Sequence, residues 1–591
     1  MYIADKEIGS ILNESTKEIM SAGKSGKIFN PIALSVFILV TFFIQCKKSS
    51  PSPDPLPPPP PSSPAFTIVT QTINSVTFTS NQTLYGIKVN PSVQVSFSDK
   101  IDRNTASSAI SYYNKTQGSA NVAFTISYQN NDSTFIITPS AAINYLNEFV
   151  FSISTALKSV SGKALSTRID IDFITQVDPS YKFPLVSDNA LLDIVQQQTF
   201  KYFWDYGHPV SGLARERSNA TPETVTSGGS GFGVMAIVAA IDRGFITRAQ
   251  GLQRMQTIVS FLKNTVPKFH GAFSHWLNGT TGAVIPFGTN DDGADLVETS
   301  YMMMGLLTAR QYFNGADAAE TNLRSDINTL WQGVEWDWFR QNGKKILYWN
   351  WSPNTGFAVN VPVQGWNEGL ITYVLAASSP THSIPKAVYD SGFARNGAMV
   401  NNGTFYGYQL PLGPPQGGPL FFEHYSFLGI NPNGLADGYA NYTTQTKNHT
   451  LINYSYCVAN PKGWFGYSDS CWGLTASDIQ NGYTASSPTN DQSFIAPTAA
   501  VSSLPYTPAE SMKALKYFYY RLGDKLWGQY GFKDAFSLQN LWFASSYLAI
   551  DQGPIIVMIE NYRSGLLWNL FTSCPEVKTG MLALGFTAPY L

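Results

Sequence analysis

Charge is scarce in this chain of 591 residues. Asp, Glu, Lys and Arg make up 13% of it, and 38 basic against 40 acidic side chains leave a net charge of −2. Such a balance provides no field to draw in a polyanion, so no nucleic-acid partner is expected. There are six histidines, at 208, 270, 275, 382, 424 and 449, and none shows zinc-ligand spacing. A Gly-x-Ser-x-Gly nucleophile elbow is absent. The Gly-rich run Gly228-Gly229-Ser230-Gly231-Phe232-Gly233 lacks the Lys-Ser/Thr of a phosphate-binding loop, and no strand precedes it. No metal and no organic cofactor is therefore expected. Cysteine is as sparse: beyond Cys46 only Cys457, Cys471 and Cys574 remain, and a Cys457–Cys471 bridge with Cys574 free is the alternative to three thiols. What the chain does have is apolar and aromatic, with 43% hydrophobic and 14% aromatic residues. Disorder needs the opposite balance, so most of the chain buries a core. Few charges with many Trp and Tyr suit a protein outside the cytoplasm that stacks on sugars.

The N-terminus addresses the compartment. Lys24 and Lys27 precede an apolar run from Pro31 to Ile44, too short for a comfortable membrane span, followed by Gln45-Cys46-Lys47-Lys48. Residues 1–46 are expected to be a secretory signal ending at a lipid-modified Cys46. This implies a cell-envelope lipoprotein, facing periplasm or cell surface, whose only membrane contact is the anchor. Residues 47–64, mostly Pro and Ser, form an extended spacer.

From 65 to 176 the pattern alternates as strands do, for instance Val93-Gln94-Val95-Ser96-Phe97 and Ile169-Asp170-Ile171-Asp172-Phe173, with turn residues between. A β-sandwich is expected. Asn90 to Asp102 and Leu157 to Leu165 resemble bacterial Ig-like domains, and no chemical constellation lies among them.

After about 180 the period turns helical. Roughly a dozen candidate helices, among them 232–243, 247–265, 293–313, 316–339, 367–378, 439–459, 536–550 and 553–570, are joined by aromatic and Gly/Pro-rich loops. That number fits six helical hairpins closed into an (α/α)6 toroid over 180–591, with a cleft lined by helix starts and loops. The fold expected is mainly α: the toroid preceded by a small β-sandwich.

Chemistry concentrates in Asp291-Asp292-Gly293-Ala294-Asp295-Leu296-Val297-Glu298. Read as the opening of a buried helix, at about 100° per residue, it places Asp291, Asp295 and Glu298 within roughly 60° on one face. Like charges held together push their pKa values apart and supply an acid and a base at neutral pH. Capping by Asp292 or Asp295 is the bland alternative, and it leaves Glu298 unexplained. Glu368 in Gly365-Trp366-Asn367-Glu368-Gly369 is the sharpest single candidate, read in the first turn of a helix. Asp551, ahead of Pro554, is the next, with an N-cap as its bland reading. Arg215-Glu216-Arg217 could form ion pairs or line the cleft, and Arg563 should pair with a carboxylate. Trp349, Trp351, Trp366, Asn367, His424, Trp464 and Tyr467 sit in separate loops with the residue types that grip a sugar.

Taken together, Phe203-Trp204-Asp205, Gly228 to Gly233, Asp295 to Thr299, Gly365 to Glu368, Gly463-Trp464-Phe465-Gly466 and Asp551 through Gly565 resemble the bacterial "glucoamylase-like" proteins, glycoside hydrolase family 144. The resemblance spans about 185–591. It implies an (α/α)6 barrel and inverting hydrolysis of β-1,2-glucan to sophorooligosaccharides, with Asp291, Asp295, Glu298, Glu368 and, less closely, Asp551 at the family's acidic positions. Glu368 is then the general acid, and the base is Asp291, Asp295, Glu298 or Asp551. Some relatives release sophorose from chain ends. An exo-acting enzyme or β-glucosidase, and a non-catalytic glycan-binding lipoprotein, are therefore the competing readings. The partner expected is a β-glucan, bound by a monomer.

Overall fold

The computed structural model describes residues 64–591, which divide into two compact units with the boundary in sequence between Gln176 and Val177. The signal, Cys46 and the spacer lie outside the described residues.

The first unit is a sandwich of two five-stranded sheets. In one, Val93–Phe97 runs between Ile68–Ile73 and Thr134–Pro139, antiparallel to both. In the other, Ile169–Thr175 lies between Glu148–Ile153 (antiparallel) and Gln82–Ile87 (parallel). The period-2 pattern decides which faces meet: Val93, Val95, Phe97, Phe149, Phe151, Ile169, Ile171 and Phe173 are buried, and Gln94 and Ser96 between them are less so.

The second unit is a ring of helices in two layers. We label α1 Asp188–Trp204, α2 Ser227–Asp242, α3 Arg248–Asn264, α4 Leu296–Tyr312, α5 Ala318–Gln332, α6 Leu370–Ser378, α7 Tyr442–Ala459, α8 Pro497–Val501, α9 Pro508–Tyr520, α10 Ala549–Arg563, α11 Leu566–Thr572 and α12 Pro575–Leu584. The inner ring is α2, α4, α6, the 3-10 turns Leu420–Glu423 and Ser426–Leu428, α8 and α10, with α10 closing against α2. Inner helices are buried all round: α2 from Ser227 to Ala240, α4 from Leu296 to Arg310. Outer ones carry a stripe, as α5 does with Leu323, Ile327, Leu330 and Trp331. This is the (α/α)6 toroid.

Several boundaries differ from the sequence reading. α2 begins at Ser227, so the glycine run is helix. It is glycine because α2 and α4 cross too closely for side chains: a Cβ on Gly231 would lie 2.2 Å from the Tyr301 carbonyl oxygen, and one on Gly305 would lie 2.2 Å from that of Gly231. Residues 536–550 contain no long helix. Phe536–Ser537 pairs with Trp542–Phe543, and α10 starts only at Ala549. The candidate 553–570 is two helices, α10 and α11, split by Gly565 in the left-handed region at φ 70°. Cys457 and Cys471 are buried free thiols, not a bridge, and burial pushes both thiols up, which keeps them protonated. No helix among the described residues is long and apolar enough to cross a membrane.

Candidate active site

The inner elements bring their N-terminal ends together. The Gly228 N–H at the start of α2 donates to Glu298 Oε2 of α4 at 2.8 Å. Ser426 Oγ donates to the Glu368 carbonyl oxygen ahead of α6 at 2.6 Å. Thr498 Oγ1 of α8 donates to the Asp551 carbonyl oxygen of α10 at 2.9 Å. Unpaired N–H groups and the positive ends of the helix dipoles therefore gather at one end of the toroid, and they favour carboxylates there.

The carboxylates converge, but not as one helical face. α4 starts at Leu296, so Asp291 lies in the preceding loop and Asp295 is the N-cap, Oδ1 accepting from the Val297 and Glu298 N–H groups at 3.1 and 3.0 Å. The cap is therefore Asp295, and Asp292 instead accepts from Asn354 Nδ2 at 2.6 Å. The helix is delayed because Asp295 first pairs with Asn350 in a short two-stranded ladder, and the Leu296 N–H donates to the Trp349 carbonyl oxygen. Asp295 Oδ2 meets His275 Nδ1 at 3.0 Å, and Asn350 Nδ2 donates to Asp291 Oδ1 at 2.8 Å. Burial pulls the His275 imidazole down, but Glu298, Asp295 and Asp291 outweigh it and hold the ring up at about 9. Burial pushes Glu298 up to about 7, with His275 opposing and Asp295 adding to the rise. A protonated imidazole thus sits among three acids on one wall.

Glu368 precedes α6 in a turn instead of lying in its first turn; Gly369 occupies the N-cap. It is 1% exposed, its Oε2 has no hydrogen-bond partner, and burial raises its pKa. Asp551 is in the first turn of α10, not its N-cap; that place is taken by Leu548, and Pro554 lies inside the helix. Tyr425 is close enough to both acids to feel their charge. Its buried phenol feels Asp551, Glu368, Glu298 and Asp534, and burial first of all raises it.

Two neighbouring hollows open here. One is lined by Glu216, Thr226, His275, Trp276, Glu298, Phe421, Tyr425 and Tyr483, with Ile550 beside Asp551. The other is lined by Trp349, Gln364, Trp366, Asn367, Glu368, Arg395 and Phe422. Their walls adjoin at Phe421 and Phe422, whose rings are 4.9 Å apart. Trp349, Trp366, Asn367, Glu368 and Glu298 thus line hollows, with Asp295 and Asp291 directly behind. Trp366 also donates from its indole nitrogen to Glu423 Oε1 at 2.9 Å.

The structure does not bring the other aromatic candidates to these walls. Trp351 packs edge-on to His270 at 4.7 Å. His424 is 1% exposed and bonds Ser503 at 2.9 Å, and burial pulls its imidazole down to about 3, so it is a neutral core residue. Trp464 Nε1 and Tyr467 Oη both donate to Asp491, at 2.8 and 2.7 Å, and lock a loop. Their Gly-rich, aromatic setting looks the same in sequence whether the ring serves a ligand or a buried acid. Sequence reasoning missed His275 as an ion partner, Tyr425 as a lining ring near the acids and Asp478 and Asp534 altogether. Nothing local marks them, since each gains its setting from residues far along the chain. Among the described residues no group of three or more His, Cys, Asp or Glu is arranged to hold a metal ion.

Comparison with known proteins agrees with this architecture. Residues 360–575 match a family model described as "Putative glucoamylase", and residues 67–175 match a bacterial Ig-like domain. An endo-β-1,2-glucanase of Chitinophaga pinensis, solved with sophorotriose and glucose, is 52% identical, covering 69% of this chain and 100% of that one with a TM-score of 0.68. A β-1,2-glucanase of Parabacteroides distasonis is 36% identical, covering 88% of this chain and 74% of that one with a TM-score of 0.66. An exo β-1,2-glucooligosaccharide sophorohydrolase (non-reducing end) of the same organism is 46% identical over 417 residues, 67% of this chain; the match spans only 58% of that relative's length. The chain belongs to the glucoamylase-like family of glycoside hydrolases, its toroidal domain preceded by a bacterial Ig-like domain.

Proposed function

We propose that this protein hydrolyses β-1,2-glucan, cleaving within the chain to release sophorooligosaccharides by an inverting acid/base mechanism. The observation that carries the reading is the gathering of buried acids at one end of the toroid, where Glu298 and Glu368 line open hollows and both, with Asp551, act on the buried Tyr425 phenol. The Chitinophaga relative, matched over its full length, supports internal cleavage.

Glu368 is the general acid. Burial raises its pKa and so favours the protonated form an acid needs, and the partnerless Oε2 is available to a glycosidic oxygen. Asp551 is the base that draws a proton from the attacking water. Asp295 is unsuited to that role because both its oxygens are held, by the α4 N–H groups and by His275. His275 and Glu298, which line the hollow, instead bind and orient sugar hydroxyls, and Asp295 holds His275 in place. Trp276, Tyr483, Trp349 and Trp366 offer apolar faces and edges to the rings. An inverting reaction needs room for the water between acid and base, with carboxyls roughly 6.5–9.5 Å apart.

The test is hydrolysis of linear β-1,2-glucan, with products sized over time and the anomer followed by polarimetry. Mixed sophorooligosaccharides early and inversion are expected. Sophorose alone from the outset would replace internal cleavage with exo action, which the Parabacteroides sophorohydrolase favours. Retention on a β-1,2-glucan gel without turnover would make this a binding protein.

Anchoring through Cys46 is part of the same proposal: it would hold the enzyme on the cell envelope behind the Pro/Ser spacer. Cys46→Ser should move the protein from the membrane to the soluble fraction, and an unchanged distribution would remove the anchor.

A further inference from the structure

Arg395 stands apart from the other arginines of the toroid, each of which is engaged. Arg243 grips Glu560, Arg248 grips Glu320, Arg310 pairs with Glu576 and Arg563 with Asp193. Arg217 holds Glu216 and Asp478. Arg215, Arg254, Arg324 and Arg340 donate to backbone carbonyl oxygens, and Arg521 lies over the Tyr181 ring. Among the described residues the Arg395 guanidinium alone meets neither an acceptor nor a ring. It is exposed, and it lines the hollow that holds Glu368.

The backbone that delivers it is unusual for its sequence. A π turn, Tyr389–Phe393, closes with the Ala394 N–H donating to the Tyr389 carbonyl oxygen at 2.9 Å. Arg395, Asn396 and Gly397 then follow at φ 51°, 52° and 95°. Gly and Asn enter the left-handed region readily, whereas an arginine does so at a cost, because its Cβ crowds the following carbonyl. No other Lys or Arg among the described residues has a positive φ. Phe393 and Ala394 are buried, and the Phe393 carbonyl oxygen accepts the Gly365 N–H at 2.7 Å, so the turn is pinned to the loop that carries Glu368. Strained residues and π turns both collect at ligand sites.

The hollow encloses about 550 Å³, within the range of small-ligand sites. Trp366, Met399 and Phe422 contribute apolar wall, and Arg395 is the one cation among the described residues that line it. No ion pair joins Arg395 to Glu368 or to any other described acid. Its planar fork of N–H donors is therefore open to a ligand, and such a fork fits two neighbouring oxygens. A glucosyl residue inside a β-1,2-linked chain spends O1 and O2 on its linkages and keeps its 3- and 4-hydroxyls free as a neighbouring pair. A linkage through O3 or O4 removes one member of that pair.

We propose that Arg395 is a substrate-binding residue whose guanidinium takes the 3- and 4-hydroxyl oxygens of one glucosyl residue in the hollow beside Glu368, and that it thereby favours a β-1,2 linkage over a β-1,3 or β-1,4 one. The identity of the sugar rests on the proposed reaction; that Arg395 meets the ligand of this hollow does not.

The variants to compare are Arg395→Ala and Arg395→Lys in the full chain. Arg395→Ala should raise KM for β-1,2-glucan about 10–100-fold and change kcat by less than about threefold, the loss expected when hydrogen bonds to a charged group are removed. Its thermal midpoint should stay close to wild type, since no contact within the fold is lost. Arg395→Lys keeps the charge but not the fork, and its KM should remain at least about fivefold above wild type. A wild-type KM in Arg395→Ala would overturn the binding role, and a wild-type KM in Arg395→Lys would overturn the two-oxygen grip. Calorimetry on Glu368→Gln, with and without Arg395→Ala, separates binding from turnover. Sophorotetraose should lose affinity by the same factor as KM, while β-1,3-linked laminaritetraose should bind both chains equally weakly or not at all. Equal losses for the two sugars would overturn the linkage preference, and no sophorotetraose binding to Glu368→Gln, or binding indifferent to Arg395→Ala, would overturn the proposal. If the wild type hydrolyses no β-1,2-glucan, the functional reading fails, and the calorimetry still decides whether Arg395 holds sugar.

Discussion

The two units of this chain treat acidic residues in opposite ways. In the Ig-like unit the buried polar residues are Asn114, Thr134, Asn147, Ser152, Ser159 and Thr175, and every described Asp and Glu reaches solvent. Its ion pairs, such as Lys115–Glu148 at 2.7 Å, lie at the surface. The toroid buries acids repeatedly, and these divide into two kinds. Glu560 is gripped by Arg243 through two bonds of 2.6 and 2.7 Å; burial alone would raise it, but the Arg243, Ser564 and Gln196 contacts win and its pKa falls. Asp491 and Glu423 are likewise held, the first by Tyr456, Trp464 and Tyr467, the second by Trp366, Gln445 and His449. At the cleft the balance reverses: Glu216, Glu298, Glu368 and Asp534 are all raised, with burial the largest cause in each. A fold that only had to be stable would gain by replacing such groups with apolar ones. Their retention at one end of the ring, and nowhere in the sandwich, distinguishes a working site from a structural module.

Changes at either unit can break or sharpen this contrast. The largest effect is expected from Glu368→Gln, which should lower kcat on β-1,2-glucan by about 10²–10⁴-fold while leaving the thermal midpoint close to wild type. A loss confined to KM would remove Glu368 from the proton-transfer step. Glu560→Ala should do the reverse. It leaves Arg243 uncompensated and should cost about 3–5 kcal/mol in chemical denaturation of the toroid. The activity of the protein that stays folded should be unchanged.

Gly231→Ala should cost about 1–3 kcal/mol, the usual range for overpacking, because its Cβ would press on the Tyr301 carbonyl where α2 and α4 cross. A stability equal to wild type would show that the crossing is looser than the structure has it.

A smaller, pH-dependent effect separates the two kinds of buried acid. Glu298 has its pKa raised from 4.5 to about 7, so its contribution is fully present below 4.5 and is lost as pH rises to about 7. His275 is raised from 6.5 to about 9, and its contribution disappears as pH climbs through that window. Melting curves from pH 4 to 10 should therefore fall with pH in wild type, and Glu298→Gln should flatten the lower part. The smallest effect is expected in the sandwich. Lys115→Ala removes a half-exposed ion pair and should leave the melting curve unchanged within error at every pH.

Alternation by itself placed the strands of the sandwich, because a residue such as Val95 or Phe173 needs only to face inward and its neighbour outward. Helical period and length implied a closed double ring. The residue runs from Phe203 to Gly565 marked the family, and the cluster from Asp291 to Glu298 with Glu368 and Asp551 marked where acids gather. Tertiary structure decided the rest. Whether Asp295 caps α4 or lies on its face depends on a ladder with Asn350, which lies 55 residues further on, by the chain's own numbering. Whether Trp464 and Tyr467 meet a ligand or Asp491 depends on how their loop closes. His275, Tyr425 and Asp534 have no local signature, since a pKa is set by what burial brings near a group and not by its neighbours in sequence. Sequence could therefore specify the elements and the residue types of the site, while the charge each group carries was fixed only when the ring closed and water was excluded.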